Sequence, residues 1–519
     1  MKKKIFWIIG LVVIALVSIA TIRFCHTRSV TSRFTGPVSL DEPIPDALVT
    51  DLEKYVSELM KEYDVPGAAM VLVKGGQVIY SHGFGVRNLE TKIPVDTQTL
   101  MGIGSTTKSM TAVMIASMVD DGIIEWDTPL PDILPAFALS DPDVTQRMTI
   151  RHTLCMCSSI PEHKEAITVQ YSEMTAEDVI EMLATVPLHG SFEHTFNYSS
   201  PTVSVGGYLA AMADGGEYGN LAQAYYNEMQ KRLFDPLGMT ASTFSINEAV
   251  ASGNYATPYY SSLDGYHAIL PEIEGVFTPL APAGALWSNV DDLAKYLIML
   301  LNDGVAPNGQ RVISSANLSY IWTPQIAINN QDSYGLGWEV DNYHGVTVVQ
   351  HSGGTAGFAS ELVIIPYLKI GFAMLLNRVD LIQPVGRMVT YRLLEMLTGS
   401  EQVYDREMRD RARELKKQLP ALLLITRKTV NPDKLAPFLG SYHNDALGDI
   451  KLVLRDDHTL WIDFGEYESP IRSLITEENQ YIFFESIFVG KTILMNLNAD
   501  GTPSMKWIGN EGTYYFIAK

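Results

Sequence analysis

Three short segments of the sequence combine residue types that serve nucleophilic catalysis. The first, residues 104–108 (Gly-Ser-Thr-Thr-Lys), places a hydroxyl and an amine three residues apart. Residues at this spacing share one face of a helix, so Lys108 is predicted to lie beside Ser105 and to take its proton. The N–H of Ser105 at a helix start is predicted to face a developing oxyanion. In isolation, the same pattern also fits a capping serine followed by a solvated lysine.

The second and third segments add an acid–base group and a glycine pair. Residues 196–201 (Phe-Asn-Tyr-Ser-Ser-Pro) form a polar turn ahead of an apolar helix. Tyr198 is predicted to shuttle a proton if positive neighbours lower its pKa; the alternative is an ordinary packed tyrosine. Residues 351–355 (His-Ser-Gly-Gly-Thr) follow an apolar run, and the N–H of Gly354 is predicted as a second oxyanion donor. The alternative there is a glycine bulge at a strand end.

The elements that must position these segments follow from the hydrophobic spacing. The predicted elements are helices over 46–63, 106–121 and 385–398, and strands over 68–73, 78–82, 361–366 and 370–377. Residues 125–300 show a mostly helical pattern. From about residue 433 onward, short alternating runs separated by turns predict a small antiparallel sheet or barrel.

Length and composition limit the class of protein. A chain of 519 residues predicts two folded domains plus a targeting segment. The net charge of -21 would repel phosphate backbones, so nucleic acid is not a predicted partner. Three cysteines, Cys25, Cys155 and Cys157, cannot build a disulfide framework, and no structural disulfide is predicted. The Cys-x-Cys pair has no matching second ligand pair, so no metal site is predicted.

The N-terminus has the pattern of a targeting segment. Three lysines, residues 2–4, precede an apolar run over residues 5–22 that is long enough to span or nearly span a bilayer. Everything after this run is predicted to face outward from the cell membrane. Ser18 and Ala20 form a small-x-small pattern, so a cleaved signal peptide and a secreted protein remain the alternative.

Taken in order, the three segments resemble the serine β-lactamase and penicillin-binding protein superfamily. The resemblance is to the branch with class C β-lactamases, D,D-peptidases, D-aminopeptidases and family VIII esterases. It covers residues 45–400 and includes residues 149–152, 281–288 and 334–338. It implies an α/β fold, with an antiparallel sheet flanked by helices plus a helical subdomain. The region after residue 430 is similar to the lipocalin-like β-domain of some relatives.

The predicted organisation follows from these patterns and from the resemblance. Its parts are an anchor or signal peptide (1–28), a tether (29–45), the hydrolase domain (46–400), a connector (401–430) and the β-domain (431–519).

The resemblance also implies roles for individual residues. Ser105 would be acylated, Lys108 and Tyr198 would share the acid and base steps, and His351 would stand where many relatives have the lysine of Lys-Thr-Gly. The residues implied for the oxyanion and substrate site are Gly354, Ser200, Ser352 and Gly353. Relatives of this kind need no metal or organic cofactor, and none is predicted here.

Three departures from the family pattern shape the predicted function. Tyr-x-Asn reads Tyr-Ser-Ser over 198–200, His351 replaces a lysine, and residues 156–160 (Met-Cys-Ser-Ser-Ile) replace His-Thr-Ser-Gly-Leu. Efficient β-lactam turnover is therefore not expected. We predict an extracytoplasmic hydrolase of esters, amides or peptides, cell-wall fragments among them. The alternative is a penicillin-recognising or peptidoglycan-binding surface protein with little turnover; no oligomeric state is predicted.

Overall fold

A computed structural model describes residues 42–262, 265–379, 385–475, 477, 479–484, 488–509 and 512–519. The predicted anchor, residues 1–28, and most of the predicted tether lie outside the described residues. Within the described part of the chain, no helix has the length and apolar character needed to cross a membrane.

The first domain is built around an antiparallel sheet. Its strands, in chain order, are β1 (Gly67–Lys74), β2 (Gln77–Gly85), β3 (Met101–Gly102), β4 (Tyr259–Ser262), β5 (Gly265–Ala268), β6 (Trp287–Ser288), β7 (Ile326–Ala327), β8 (Ser333–Tyr334), β9 (Glu339–Tyr343), β10 (Val346–Gly354), β11 (Ala359–Ile365), β12 (Ile370–Leu376) and β13 (Arg378–Val379). The main sheet has eight strands in the order β2-β1-β12-β11-β10-β9-β8-β7. Two smaller sheets are formed by β13-β4-β5 and β3-β6.

Helices cover both faces of the main sheet. In chain order they are α1 (Asp46–Glu62), α2 (Thr107–Asp120), α3 (Leu130–Ile133), α4 (Pro142–Arg147), α5 (Ile150–Leu154), α6 (Lys164–Val169), α7 (Ala176–Met182), α8 (Ser200–Ala213), α9 (Leu221–Met229), α10 (Asp235–Leu237), α11 (Ile246–Ala251), α12 (Ala281–Gly284), α13 (Val290–Leu301), α14 (Ser315–Ile321) and α15 (Val385–Thr398). Short 3₁₀ helices span Gly104–Thr106, Pro271–Leu280 and Pro366–Leu368, and a π-helical turn spans Gln230–Phe234.

The two faces of the sheet bury separate hydrophobic cores. Successive side chains of a strand point to opposite faces, so Val71 and Val73 of β1 join the core around α2. Met70 and Leu72 join the second core, with α1 and α15. A strand buried on both faces must be apolar throughout, which explains the unbroken apolar run of β1. The predicted β-lactamase-like fold and its long helices are confirmed.

The C-terminal region is a closed antiparallel barrel. It comprises α16 (Val403–Leu424), β14 (Thr426–Arg427), α17 (Pro432–Leu435), a 3₁₀ turn (Ala436–Phe438), β15 (Gly440–Asn444), β16 (Gly448–Leu454), β17 (Leu460–Asp463), β18 (Glu468–Leu474), β19 (Gln480–Phe483), β20 (Thr492–Leu497), β21 (Pro503–Ile508) and β22 (Thr513–Ala518). Strands β15 to β22 close through the pairing of β18 with β19, and β14 adds to β18. Closure leaves no free strand edge among these eight strands, and an aromatic and aliphatic core fills the interior. The predicted barrel-like domain is confirmed.

The prediction that the chain has no structural disulfide was wrong. Cys155 and Cys157 are bonded, with their Cα atoms 5.2 Å apart. Met156 between them has a left-handed φ of 57°, which brings the two cysteines closer than an extended chain would allow. A count of cysteines does not detect this turn.

Candidate active site

The predicted nucleophile lies at a sharp turn between β3 and α2. Ser105 is the middle residue of the 3₁₀ helix Gly104–Thr106, which continues directly into α2. Gly104 has a φ of +53°, and a Cβ atom at this position would lie 2.7 Å from the nitrogen of Gly354. Both the backbone conformation and this close approach therefore require glycine. The turn Gly104–Thr106, called the nucleophile turn below, thus lies against the end of β10.

Lys108 is one turn along from Ser105, as the spacing predicts. Its side chain is completely buried, and its Nζ donates to Ser105 Oγ at 3.0 Å and to the carbonyl of Ala283 at 2.9 Å. Ala283 belongs to α12, within the segment 281–288 that carried part of the family resemblance. The backbone at Gly337 packs closely on the carbonyl oxygen of Lys108. A Cβ atom at residue 337 would lie 2.7 Å from that oxygen, so the close packing requires glycine.

Tyr198 lies beside the same serine and lysine. Its ring centre lies 4.9 Å from the Nζ of Lys108, and its hydroxyl is near enough to Ser105 to interact with it. Burial raises the pKa of Tyr198 well above its usual value, the carboxylates of Glu162 and Glu339 raise it further, and the nearby hydroxyl of Ser105 offsets part of this. The prediction that Tyr198 shuttles a proton required a lowered pKa, and the pKa of Tyr198 is instead raised. The phenol is protonated at neutral pH, which suits a proton donor.

His351 lies within the site but both of its ring nitrogens are engaged. Nδ1 is 2.7 Å from the carbonyl of Ser352, which can only accept, so Nδ1 carries the proton. Nε2 then accepts from the hydroxyl of Tyr334 at 2.9 Å. Burial lowers the pKa of His351 to about 4, and the charge of Lys108 lowers it further against the opposing effect of Glu339. The imidazole is therefore neutral where relatives carry a lysine.

Ser200 is the first residue of α8 and its polar groups are directed at Glu162. Its backbone N–H donates to one oxygen of that carboxylate at 2.7 Å, and its hydroxyl donates to the other at 2.9 Å. Ser352 is half-buried on β10 and pairs with Glu361 of β11. Ser200, which was predicted to contact substrate, thus binds the carboxylate of Glu162 in this structure.

The two adjacent glycines of β10 have different surroundings. A Cβ atom at Gly353 would overlap the carbonyl of Ile103 and the hydroxyl of Ser360, so only glycine lets β10 lie this close to the nucleophile turn. Gly354 is exposed, and a Cβ there would meet only Val379, at 3.9 Å. The N–H of Gly354 therefore lies beside the nucleophile turn, where an oxyanion donor is needed.

The different surroundings of Gly353 and Gly354 predict different outcomes for the same substitution at the two positions. Gly353→Ala is expected to lower the free energy of unfolding by about 1 to 3 kcal/mol and to reduce acylation, because β10 must move away from residue 103. Gly354→Ala keeps the N–H and is expected to leave both properties near those of the parent. Thermal unfolding and the rate of labelling by a fluorophosphonate measure both effects. Equal effects of the two alanines would contradict the close approach at Gly353.

Some residues of the site were not predicted from the sequence. Glu274 is buried and accepts from the N–H of Gly357 at 2.8 Å, so it holds the loop after β10. Burial raises the pKa of Glu274 to about 7. Tyr334 lies in a segment already singled out, but Glu162 and Glu274 are isolated acidic residues with no distinguishing pattern. Among the described residues, no group of His, Cys, Asp and Glu side chains could hold a metal ion.

Comparison with known proteins identifies the family of this chain. A family model described as Beta-lactamase matches residues 52–396. The chain therefore belongs to the beta-lactamase family of serine hydrolases.

Individual relatives match this chain over different shares of its length. The unguisins hydrolase of Aspergillus campestris is 26% identical over 529 residues, which cover 92% of this chain and 95% of that protein. Penicillin-binding protein 4 of Amycolatopsis lactamdurans is 26% identical over 324 residues, covering 62% of this chain and 82% of that protein. The structure of an octameric penicillin-binding protein homologue from Pyrococcus abyssi matches with a TM-score of 0.58 and 23% identity, over 90% of this chain and 99% of that one. This last match supports the fold.

Proposed function

We propose that this protein is an extracytoplasmic hydrolase that forms an acyl-enzyme on Ser105 with esters or amides, including peptides. The observation that carries the proposal is the 3.0 Å contact between Lys108 Nζ and Ser105 Oγ, with the hydroxyl of Tyr198 near the same serine. One hydroxyl flanked by an amine and a phenol has both a proton acceptor and a proton donor within reach.

The reaction follows from these contacts. Oγ of Ser105 attacks the substrate carbonyl carbon while Lys108, reacting in its unprotonated form, takes its proton. The tetrahedral oxyanion accepts hydrogen bonds from the N–H groups of Ser105 and Gly354. Collapse breaks the bond to the leaving alcohol or amine, which takes a proton from Tyr198, and the phenol regains one from Lys108. Water then repeats the sequence on the acyl-enzyme and releases the acid.

The charges around the site argue for weak or no turnover of β-lactams. A neutral His351 offers no positive charge to a substrate carboxylate. The carboxylates of Glu162 and Glu339 lie close enough to Tyr198 to raise its pKa, so two negative charges lie near the phenol. Substrates whose acyl portion lacks a carboxylate are therefore favoured.

Two observations bear on the choice between turnover and binding. The unguisins hydrolase, which matches nearly the full length of this chain, is named for hydrolysis, and this favours turnover. Penicillin-binding protein 4 supports the alternative, a penicillin-recognising or peptidoglycan-binding surface protein that turns over little substrate.

The proposed location rests on the N-terminal sequence and on the disulfide. Lysines at residues 2–4 followed by the apolar run over 5–22 favour a single-pass anchor, or a signal peptide if the run is cleaved. The bond between Cys155 and Cys157 supports an oxidising compartment, because disulfides are rare in the cytosol.

Intact-mass spectrometry of the full-length protein tests the proposed function. We expect a transient acetyl adduct on Ser105 with p-nitrophenyl acetate, followed by release, and slow or no adduct formation with benzylpenicillin. A stable penicillin adduct without ester turnover would favour the binding protein. Rapid penicillin hydrolysis would contradict the argument from His351.

A further inference from the structure

Residues 161 and 162 hold the beginning of α8, which starts two residues after Tyr198. The carboxylate of Glu162 accepts the N–H of Ser200 at 2.7 Å and its hydroxyl at 2.9 Å. The carbonyl of Pro161 accepts the hydroxyl of Ser199 at 3.1 Å. These bonds fix the turn that presents the phenol of Tyr198 to the nucleophile.

The segment that carries Glu162 is itself held by the C-terminal barrel. Glu162 is followed by α6, whose residues Ala166 and Val169 are 6% and 2% exposed and belong to the hydrophobic core of the barrel. A helix of six residues has too few internal hydrogen bonds to be stable alone. Packing against the barrel, together with Ile167 buried in the core of the hydrolase domain, therefore supplies the order of this segment.

Polar contacts join the same segment to the barrel. Glu165 is 1% exposed and forms an ion pair with Lys491, whose side chain is 10% exposed. A Cβ atom at Gly509 would overlap the carboxylate of Glu165, so the barrel backbone lies directly against it. Ser172 donates its N–H at 2.9 Å and its hydroxyl to Glu466. Removing one partner of a buried ion pair leaves an uncompensated charge. Loss of either Glu165 or Lys491 is therefore expected to weaken this interface.

We propose that Lys491 and Glu165 are positioning residues that act on the reaction through Glu162. By this route the barrel sets the placement of Tyr198 without contributing a group that touches the substrate. The inference rests on the proposed function, since it assumes that Tyr198 serves the acylation of Ser105.

A double-variant comparison in the full-length protein tests this proposal. Glu162→Gln, Lys491→Met and the double variant are compared by the rate of Ser105 labelling with a fluorophosphonate and by kcat and KM for p-nitrophenyl acetate. Each single change is expected to lower the labelling rate and kcat about 10- to 100-fold, with little change in KM, because the phenol is misplaced. The double variant is expected to be no slower than the slower single variant, because both changes release the same turn.

The controls separate positioning from general damage to the barrel. Lys506→Met removes another barrel lysine, one that lies over the ring of Tyr515, and is expected to behave as the parent. Lys491→Arg keeps the charge and is expected to retain most of the activity. If Lys491→Met does not fold, Glu165→Gln, which keeps the shape of the side chain, replaces it in the comparison.

The possible outcomes are distinguishable. Parent kinetics in Lys491→Met or Glu165→Gln, or losses that multiply in the double variant, would overturn the inference and leave the proposed function intact. Ester hydrolysis by the parent without any label on Ser105 would instead overturn the proposed function, and the inference with it.

Discussion

Replacing Ser105 with alanine is expected to abolish formation of the acyl-enzyme and to lower kcat/KM for an activated ester by about 10⁴-fold or more. The reason is geometric, because Lys108 bonds to this one hydroxyl and the phenol of Tyr198 lies near it. Hydrolysis of p-nitrophenyl acetate gives the rate, and intact-mass spectrometry shows the missing adduct.

The fold provides the control for this variant. Lys108 keeps its bond to the carbonyl of Ala283 when the serine hydroxyl is lost, so the thermal unfolding temperature is expected to remain near that of the parent. Thr106→Ser, at the neighbouring buried position, keeps a hydroxyl and is a matched substitution expected to retain activity. Turnover at the parent rate by Ser105→Ala would exclude the proposed nucleophile.

Lys108→Met should produce the second large loss. The change removes the only amine that bonds to Ser105 among the described contacts, and general-base catalysis of this kind contributes about 10²- to 10⁴-fold. The buried carbonyl of Ala283 also loses the bond from Nζ. Fluorophosphonate labelling and ester hydrolysis are expected to fall together.

Lys108→Arg distinguishes a base from a fixed positive charge. A guanidinium stays protonated at all accessible pH values, so it preserves charge but cannot accept the proton of Ser105. If the lysine is the base, arginine is expected to be as inactive as methionine. Substantial activity in Lys108→Arg would assign the lysine an electrostatic role and move the base to another group.

The elements that sequence patterns predicted are those whose apolar spacing is long and regular. The helix predicted over 106–121 is α2 (Thr107–Asp120), and the helix predicted over 385–398 is α15 (Val385–Thr398). Short barrel strands were harder to detect. In β18 (Glu468–Leu474), a proline and small polar residues interrupt the alternation, and its inward Ser469 is polar although fully buried. Closure of the barrel, not local preference, determines such strands.

The site shows the same division between local and distant contacts. Ser105 and Lys108 share one helical turn, so their contact follows from residue spacing alone. The groups that complete the site come from distant parts of the chain: Ala283 accepts from the lysine, Tyr334 bonds to His351, and Glu162 holds α8. The ring of His351, a residue that the resemblance implied for the site, has its centre 6.2 Å from that of Tyr198, but its neutral state depends on burial that spacing does not reveal.

The bridge between Cys155 and Cys157 encloses a single residue, so it removes little freedom from the unfolded chain and adds little to global stability. Its effect is on the shape of a loop. The carbonyl of Met156 accepts the N–H of Asn197 at 2.8 Å, and its sulfur accepts the N–H of Ser199 at 3.2 Å. Asn197 and Ser199 flank Tyr198, so a change in the redox state of the two cysteines is expected to change the shape of the turn that carries this phenol.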